Sequence, residues 1–221
     1  IRETALNMEA NVYELELNSQ FRCNGSDNYI DWLEDVLFFN RKNKIIKQGD
    51  FDFQVVDNPN ILKEKIVDQM NGRIVAGYAW KWNKKRKDGE LLEDVVIDKH
   101  NFRLPWNDNK RIDWAVHKDC NYQIGCIHTV QGSEFDAVGV IIGDDLYYDK
   151  ESKSLKINRD KYMDTGSKPG KPKKGEEDPL EQQILNTYKT LMTRGMKACY
   201  VYCCDENLKG YLKKSMVEFE S

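Results

Sequence analysis

Ile127-His128-Thr129-Val130-Gln131-Gly132-Ser133-Glu134-Phe135-Asp136-Ala137-Val138-Gly139-Val140-Ile141-Ile142 holds the two signals that decide the fold. Ala137 to Ile142 is an unbroken apolar, mostly β-branched run, the pattern of a strand buried on both faces in a helix-covered parallel sheet. Just upstream, Ile124 to Val130 reads as another strand. It stops at Gln131-Gly132-Ser133-Glu134, where a glycine lets the backbone approach a ligand closely and a carboxylate can accept a sugar hydroxyl.

Working outward, strands and helices alternate. Val12 to Leu17 has the two-residue period of a strand, and Ser26 or Asp27 can cap a helix carrying Ile30, Leu33, Val36 and Leu37 on one face. Phe51 to Val56 predicts a strand, Asn58 a cap, Pro59 a first helical turn, and Ile61, Leu62, Ile66 and Met70 a helical stripe before a strand at Arg73 to Gly77. On the C-terminal side, Asp144-Asp145 leads into a hairpin. Gly166 to Pro179 has no apolar residue and reads as a mobile surface loop. Leu180, Ile184, Leu185, Tyr188, Leu191 and Met192 restore a helical stripe, followed by a strand at Ala198 to Cys203 and a closing helix at Glu206 to Met216. The fold class expected is α/β: a mostly parallel sheet with helices on both faces. We read residues 1–221 as one domain with insertions at about 78–122 and 144–179. The first insertion is rich in tryptophan (Trp80, Trp82, Trp106, Trp114) and carries Lys84-Lys85-Arg86-Lys87, so it could stack bases and grip phosphates, although tryptophans that anchor the insertion onto the sheet are the favoured reading.

Composition narrows the function. No apolar stretch approaches the 18 or so residues of a membrane span, and no signal pattern follows Ile1, so the expectation is a cytoplasmic fragment of a longer protein. The net charge of −3, from 34 basic and 37 acidic side chains, means that any nucleic-acid site must be a local patch. Six cysteines without Cys-x-x-Cys spacing read as reduced thiols rather than as a disulfide or zinc framework. His100, His117 and His128 also lack zinc spacing. Glu134, Asp136, Asp144 and Asp145 are a weighed but less favoured metal-nuclease cluster.

Three polar segments then stand out: Leu17-Asn18-Ser19-Gln20-Phe21-Arg22, His128-Thr129-Val130-Gln131-Gly132-Ser133-Glu134-Phe135-Asp136, and Leu191-Met192-Thr193-Arg194-Gly195. Together they resemble motifs IV, V and VI of the second RecA-like domain of superfamily 1 helicases. The resemblance is narrower still to the bacterial Schlafen-like DNA/RNA helicase family, carried by Gly125 to Gly132, Val138 to Gly143, Asn186 to Tyr202 and Ala76-Gly77-Tyr78-Ala79-Trp80-Lys81-Trp82. It extends from about Leu17 to Cys204. The chain departs from that family's pattern at Ser133, where leucine is usual, and at Lys189, where arginine is usual.

The resemblance implies a RecA-like domain that contributes half of a site for ATP and Mg²⁺. Arg22 and Arg194 would be the catalytic arginines, Gln20, Gln131, Gly132 and Glu134 the nucleotide contacts, and His128 and Thr129 the contacts to a DNA or RNA strand. A Walker A loop, Gly-x-x-x-x-Gly-Lys-Ser/Thr between a strand and a helix, is absent from the sequence. Gly166-Ser167-Lys168-Pro169-Gly170-Lys171-Pro172 imitates it, but the spacing is short and Pro172 replaces the hydroxyl residue. An N-terminal P-loop domain is therefore the implied partner, and the fragment alone should be inactive. The other reading weighed is a non-hydrolysing RecA-like module that binds nucleic acid or a protein.

Overall fold

The computed structural model describes residues 27–39, 51–83, 90–108 and 110–217, with isolated positions 4, 7, 8 and 23. The strand expected at Val12 to Leu17, the residues Gln20 and Arg22, and the Lys84 to Lys87 run lie outside the described residues.

Five strands form one sheet: β1 (Asp52–Val56), β2 (Arg73–Ala76), β5 (Ile124–Gly125), β6 (Phe135–Ile142) and β9 (Gly195–Cys203). The spatial order is β1-β9-β6-β2-β5, and every pairing is parallel. Alternate side chains go to opposite faces. Val138, Val140 and Ile142 of β6 and Cys199, Val201 and Cys203 of β9 join one core with α1 (Asp27–Phe38), α4 (Pro179–Met192) and α5 (Glu206–Val217). Ala137, Ile141, Ala198, Tyr200 and Tyr202 join the other. That second face is covered by α2 (Leu62–Gln69) and by the antiparallel pair β3 (Val95–Ile97) and β4 (Phe102–Leu104). Both sides of a parallel sheet are thus buried, the arrangement of a RecA-like α/β domain. A second hairpin, β7 (Leu146–Asp149) and β8 (Ser154–Ile157), follows Asp144-Asp145 as expected.

The elements form for local reasons the sequence carries. Asn58 Oδ1 accepts the Asn60 N–H at 2.9 Å. Asp178 Oδ1 accepts the Leu180 N–H at 2.9 Å and Pro179 occupies the first turn of α4. The six apolar residues of the α4 stripe are its buried residues. In α2 the winding is π rather than α; hydrogen bonding to i+5 aligns Leu62 with Ile66 and Val67, all three buried on the sheet.

Two expectations need correction. Ile124 to Val130 is not one strand: pairing stops at Gly125, and Ile127–Val130 is a single helical turn, α3, with the Thr129 and Val130 N–H groups both on the Cys126 carbonyl. The chain turns there because it leaves β5 at that strand's carboxyl end and must return to the opposite edge, where β6 starts. Second, the Gly166 to Pro179 loop lies on the surface but is anchored: Arg159 holds Asp178 and the Pro169 carbonyl, Lys168 reaches the Arg159 carbonyl, and Ser167 meets Tyr162 at 2.9 Å. The less favoured metal-nuclease reading also fails on position, because the four acidic residues cannot form one cluster. Glu134 and Asp136 are at one end of β6 and Asp144 and Asp145 beyond the other, about 25 Å apart at strand rise.

Candidate functional site

The Gln131 to Glu134 turn begins where α3 ends. Gly132 has φ +83°, a conformation L side chains rarely adopt, and a Cβ there would meet nothing within 4 Å, so the glycine is required by backbone shape and not by crowding. The Ser133 N–H returns to the Val130 carbonyl at 3.0 Å, and the chain then enters β6. Gln131, Gly132 and Glu134 are exposed. This turn sits at the amino-terminal edge of β6, not at a strand's carboxyl end as the sequence suggested.

Arg194 reaches the same edge from the other side. It lies between the cap of α4 and the start of β9, only 5% exposed. Its Nε donates to the Thr190 carbonyl at 3.1 Å and its Nη1 to the Ser133 carbonyl at 3.4 Å, while its own carbonyl accepts the Phe135 N–H at 2.9 Å. The Thr193-Arg194 segment and the Gln-Gly-x-Glu turn are thus joined by backbone and side chain together. Tyr29 of α1 locks the end of α4 further, donating to the Met192 carbonyl at 3.1 Å. Burial, with the neighbouring Cys199 and Cys23 thiols, pushes the Tyr29 phenol well above its ordinary pKa, so it remains a donor. Cys23, next in sequence to Arg22, is therefore packed against the helix that meets Met192.

The other end of the α3 segment opens onto a cleft of about 1090 Å³ along the β5 edge of the sheet. His128, Thr129, Gln131 and Ser133 line it from one side and Tyr78, Trp80 and Trp82 from another. His128 is exposed, with its ring 6.1 Å from that of Tyr78. Thr129 Oγ1 donates to Asn107 Oδ1 at 2.8 Å and lies 3.1 Å from Cys126 Sγ. Asn107, 4% exposed, in turn gives its backbone N–H to the Ile124 carbonyl, so it fixes both Thr129 and the edge strand. Burial, and secondarily Cys126, raises the Tyr78 phenol above its ordinary pKa and keeps it neutral. Tyr78 and Asn107 were not among the residues the sequence singled out for a site, and Trp82 was weighed only as one of several insertion tryptophans that could stack bases; all three lie some 20 to 50 positions upstream and only the fold brings them to His128.

The structure therefore brings His128, Thr129, Gln131, Gly132, Glu134 and Arg194 onto one continuous segment and its neighbour. Gln20 and Arg22 lie outside the described residues. Among those residues no group of three or more His, Cys, Asp or Glu side chains is arranged to hold a metal ion. Asp136 pairs with Lys197 at 3.0 Å, and Asp145, 1% exposed, accepts the Tyr188 hydroxyl at 2.6 Å. All six cysteines are free thiols.

With this geometry in place, comparison with known proteins is decisive. The family described as Schlafen group 3, DNA/RNA helicase domain, matches residues 1–205. The chain belongs to this family. The Schlafen group 3 helicase domain is also 25% identical over 215 residues to the uncharacterized protein YPL245W of Saccharomyces cerevisiae, covering 87% of this chain and 46% of the yeast protein. It thus spans about half the length of the curated relative it matches. No solved structure gives a significant match. Membership assigns the Schlafen group 3 domain a helicase-related, nucleotide-binding role. Among the described residues no helix is long and apolar enough to cross a membrane.

Proposed function

We propose that this domain is the C-terminal RecA-like half of an ATP-dependent DNA or RNA helicase or translocase, working with an N-terminal P-loop domain that completes the ATP site. The observation that carries the reading is the contact of Arg194 with the Ser133 carbonyl. It ties the proposed arginine finger to the segment from His128 to Ser133, which lines an open cleft. A machine that couples hydrolysis to movement along a strand needs a physical connection between those two places, and here it is one short segment.

The residues present fit half of a nucleotide site and no more. Gly132 holds an exposed turn at positive φ, with Gln131 and Glu134 beside it, whereas the sequence has no phosphate loop and the described residues supply no metal cage. ATP with Mg²⁺ would supply the phosphoryl group whose transfer drives the motion. Gln131, Gly132 and Glu134 would contact it from this side. Arg194 would exchange its Thr190 and Ser133 carbonyl contacts for a phosphate oxygen, with Arg22 as the second arginine. Loss of an arginine finger costs about 10³ to 10⁵ in rate in comparable enzymes.

The test is ATP turnover by the full-length protein, basal and stimulated by nucleic acid, beside a thermal melt. Arg194→Ala should lower both rates steeply while nucleotide binding falls much less, and Arg194→Lys should rescue poorly because an ammonium lacks the planar fork. His128→Ala with Thr129→Ala should lower the stimulated rate more than the basal rate. Wild-type turnover in the arginine variants, at normal stability, would refute the assignment; a full-length protein that binds nucleic acid yet never hydrolyses ATP would establish the non-hydrolysing alternative.

A further inference from the structure

Trp82 differs from the other tryptophans of its segment. Trp106 and Trp114 are each 1% exposed and belong to the cores. Trp80 commits its indole N–H to the Val96 carbonyl at 3.2 Å and so anchors the segment to β3. Trp82 is half-buried, lines the cleft and lies stacked on Trp106, with ring centroids 5.4 Å and planes 18° apart. Tyr78 tilts against Trp106 at 6.1 Å and against His128 at the same distance, which continues the aromatic surface to the α3 turn. A rigid indole supported from behind by a buried indole, and left in an open cleft, is a surface for another flat ring.

The cleft's remaining lining says which ring. Its charged groups are the exposed Lys81, the half-buried Arg111, which pairs with Asp113 at 3.0 Å, and the carboxylate of Asp164, while fully exposed Ile112 stands at the rim. The aromatic rings, more than the charges of both signs around them, suit a polymer with flat apolar bases, and the Lys81 ammonium is placed for its charged backbone. At about 1090 Å³ the cleft is at the top of the range of small-molecule sites, roughly 300 to 1,000 Å³, with room for a stretch of such a polymer.

We propose that the cleft takes single-stranded nucleic acid with its bases turned inward, one base stacking on Trp82 while Thr129 and His128 face the sugar-phosphate backbone. The inference rests on the reading that this domain engages a nucleic-acid strand and adds how it does so. Stacking uses the π-face that all bases share, so it grips any sequence, and it selects against a duplex, whose base faces are already covered.

The test uses the full-length protein and fluorescent oligothymidylate and oligouridylate of about a dozen nucleotides, an abasic analogue of the same length, and the corresponding duplex. Trp82→Ala should weaken binding of the two single strands by about 10-fold, from the usual worth of one base stack, and Trp82→Phe should restore most of it. The abasic strand should bind the parent protein weakly and should lose nothing more in Trp82→Ala. Single strands that bind Trp82→Ala as tightly as the parent, with the parent's thermal melt, would overturn the stacking proposal while leaving the helicase reading intact. Equal weakening of the abasic strand or of the duplex would overturn it too, because the ring would then serve the backbone or the fold. A parent protein that binds none of these nucleic acids, at low salt, would overturn both.

Discussion

Asp145→Asn should make the protein less sensitive to pH in a window that the fold specifies. Asp145 is 1% exposed, just beyond the carboxyl end of β6, and accepts the Tyr188 hydroxyl at 2.6 Å; the Tyr188 oxygen accepts the Gly143 N–H at 3.1 Å. Burial pushes its pKa up to about 6 against the opposing pull of the Tyr188 hydrogen bond. An unfolded aspartate titrates near 3.9. The folded state therefore holds the proton over a range where the unfolded state has released it. The corresponding stability is fully present below about pH 4 and is lost as pH rises through about 6. A rise of about two in pKa corresponds to about 3 kcal/mol, of which about 2 kcal/mol falls between pH 4.5 and 7.5. Asparagine keeps an acceptor for Tyr188 and has no charge to bury. Urea unfolding of both proteins at the two pH values isolates the effect, since other groups cancel in the difference. The variant should gain about 2 kcal/mol relative to the parent on going from pH 4.5 to 7.5. A difference independent of pH would refute the reasoning and show that Asp145 stays ionised in its pocket.

Other substitutions probe the contacts that shape the site. Gly77→Ala should destabilise by about 1 to 3 kcal/mol in denaturant unfolding, because a Cβ there would sit 2.3 Å from the buried Tyr188 hydroxyl oxygen. Arg194→Ala should cost about 1 to 3 kcal/mol at equilibrium by leaving the Thr190 and Ser133 carbonyls without its donors, so kinetic effects at this position need the melt as a control. Deleting residues 170–177 and closing the gap with a short flexible linker should leave the melting temperature nearly unchanged, whereas extending the deletion through Ser167, Lys168 and Pro169 should lower it by several degrees, because those residues hold Tyr162 and Arg159.

Much of this fold is legible in the chain because its strongest elements are locally consistent. The α4 stripe from Leu180 to Met192 and the Ala137 to Ile142 run each carry their own signal, and each appears where that signal places it, although α4 starts at Pro179, capped by Asp178, two residues that the sequence reading left in the preceding loop. Ile127 to Val130 shows the limit. Four residues, two of them β-branched apolar and one threonine, fit a strand as well as a helical turn by pattern alone. The choice is made by topology: β5 ends at Gly125, and the chain must return past β2 to the amino-terminal end of the central strand β6. The anchored loop after Gly166 escaped composition for a similar reason, since its ties run to Arg159 and Tyr162, outside the segment. The cleft was the least legible part. Tyr78, Asn107 and His128 converge only through the parallel pairing of β2, β5 and β6 and the bridge between Trp106 and Ile124.

The same topology explains how one short segment comes to serve two places in the proposed mechanism. β5 lies at the sheet's edge, separated from β6 by β2, so the connection from one to the other must cross the sheet from its carboxyl end to its amino end. Its first turn, α3, is held by Asn107 beside the cleft; its last residues are held by Arg194 at the opposite edge. Between them stands Gly132, with positive φ and open space around it, the one residue of the turn whose backbone can change conformation without a side chain obstructing it. Where β6 begins, its register with β9 shifts between Phe135 and Ala137, so the segment ends on an irregular pairing and not in the rigid ladder. Movement of Arg194 toward a phosphate would release the Ser133 carbonyl, and the freed turn would rearrange about Gly132 before anything in the central sheet had to move. On the proposed reading, coupling thus requires a stiff sheet with one compliant connection across it, and Gly132→Ala should therefore impair nucleic-acid-stimulated turnover more than basal turnover.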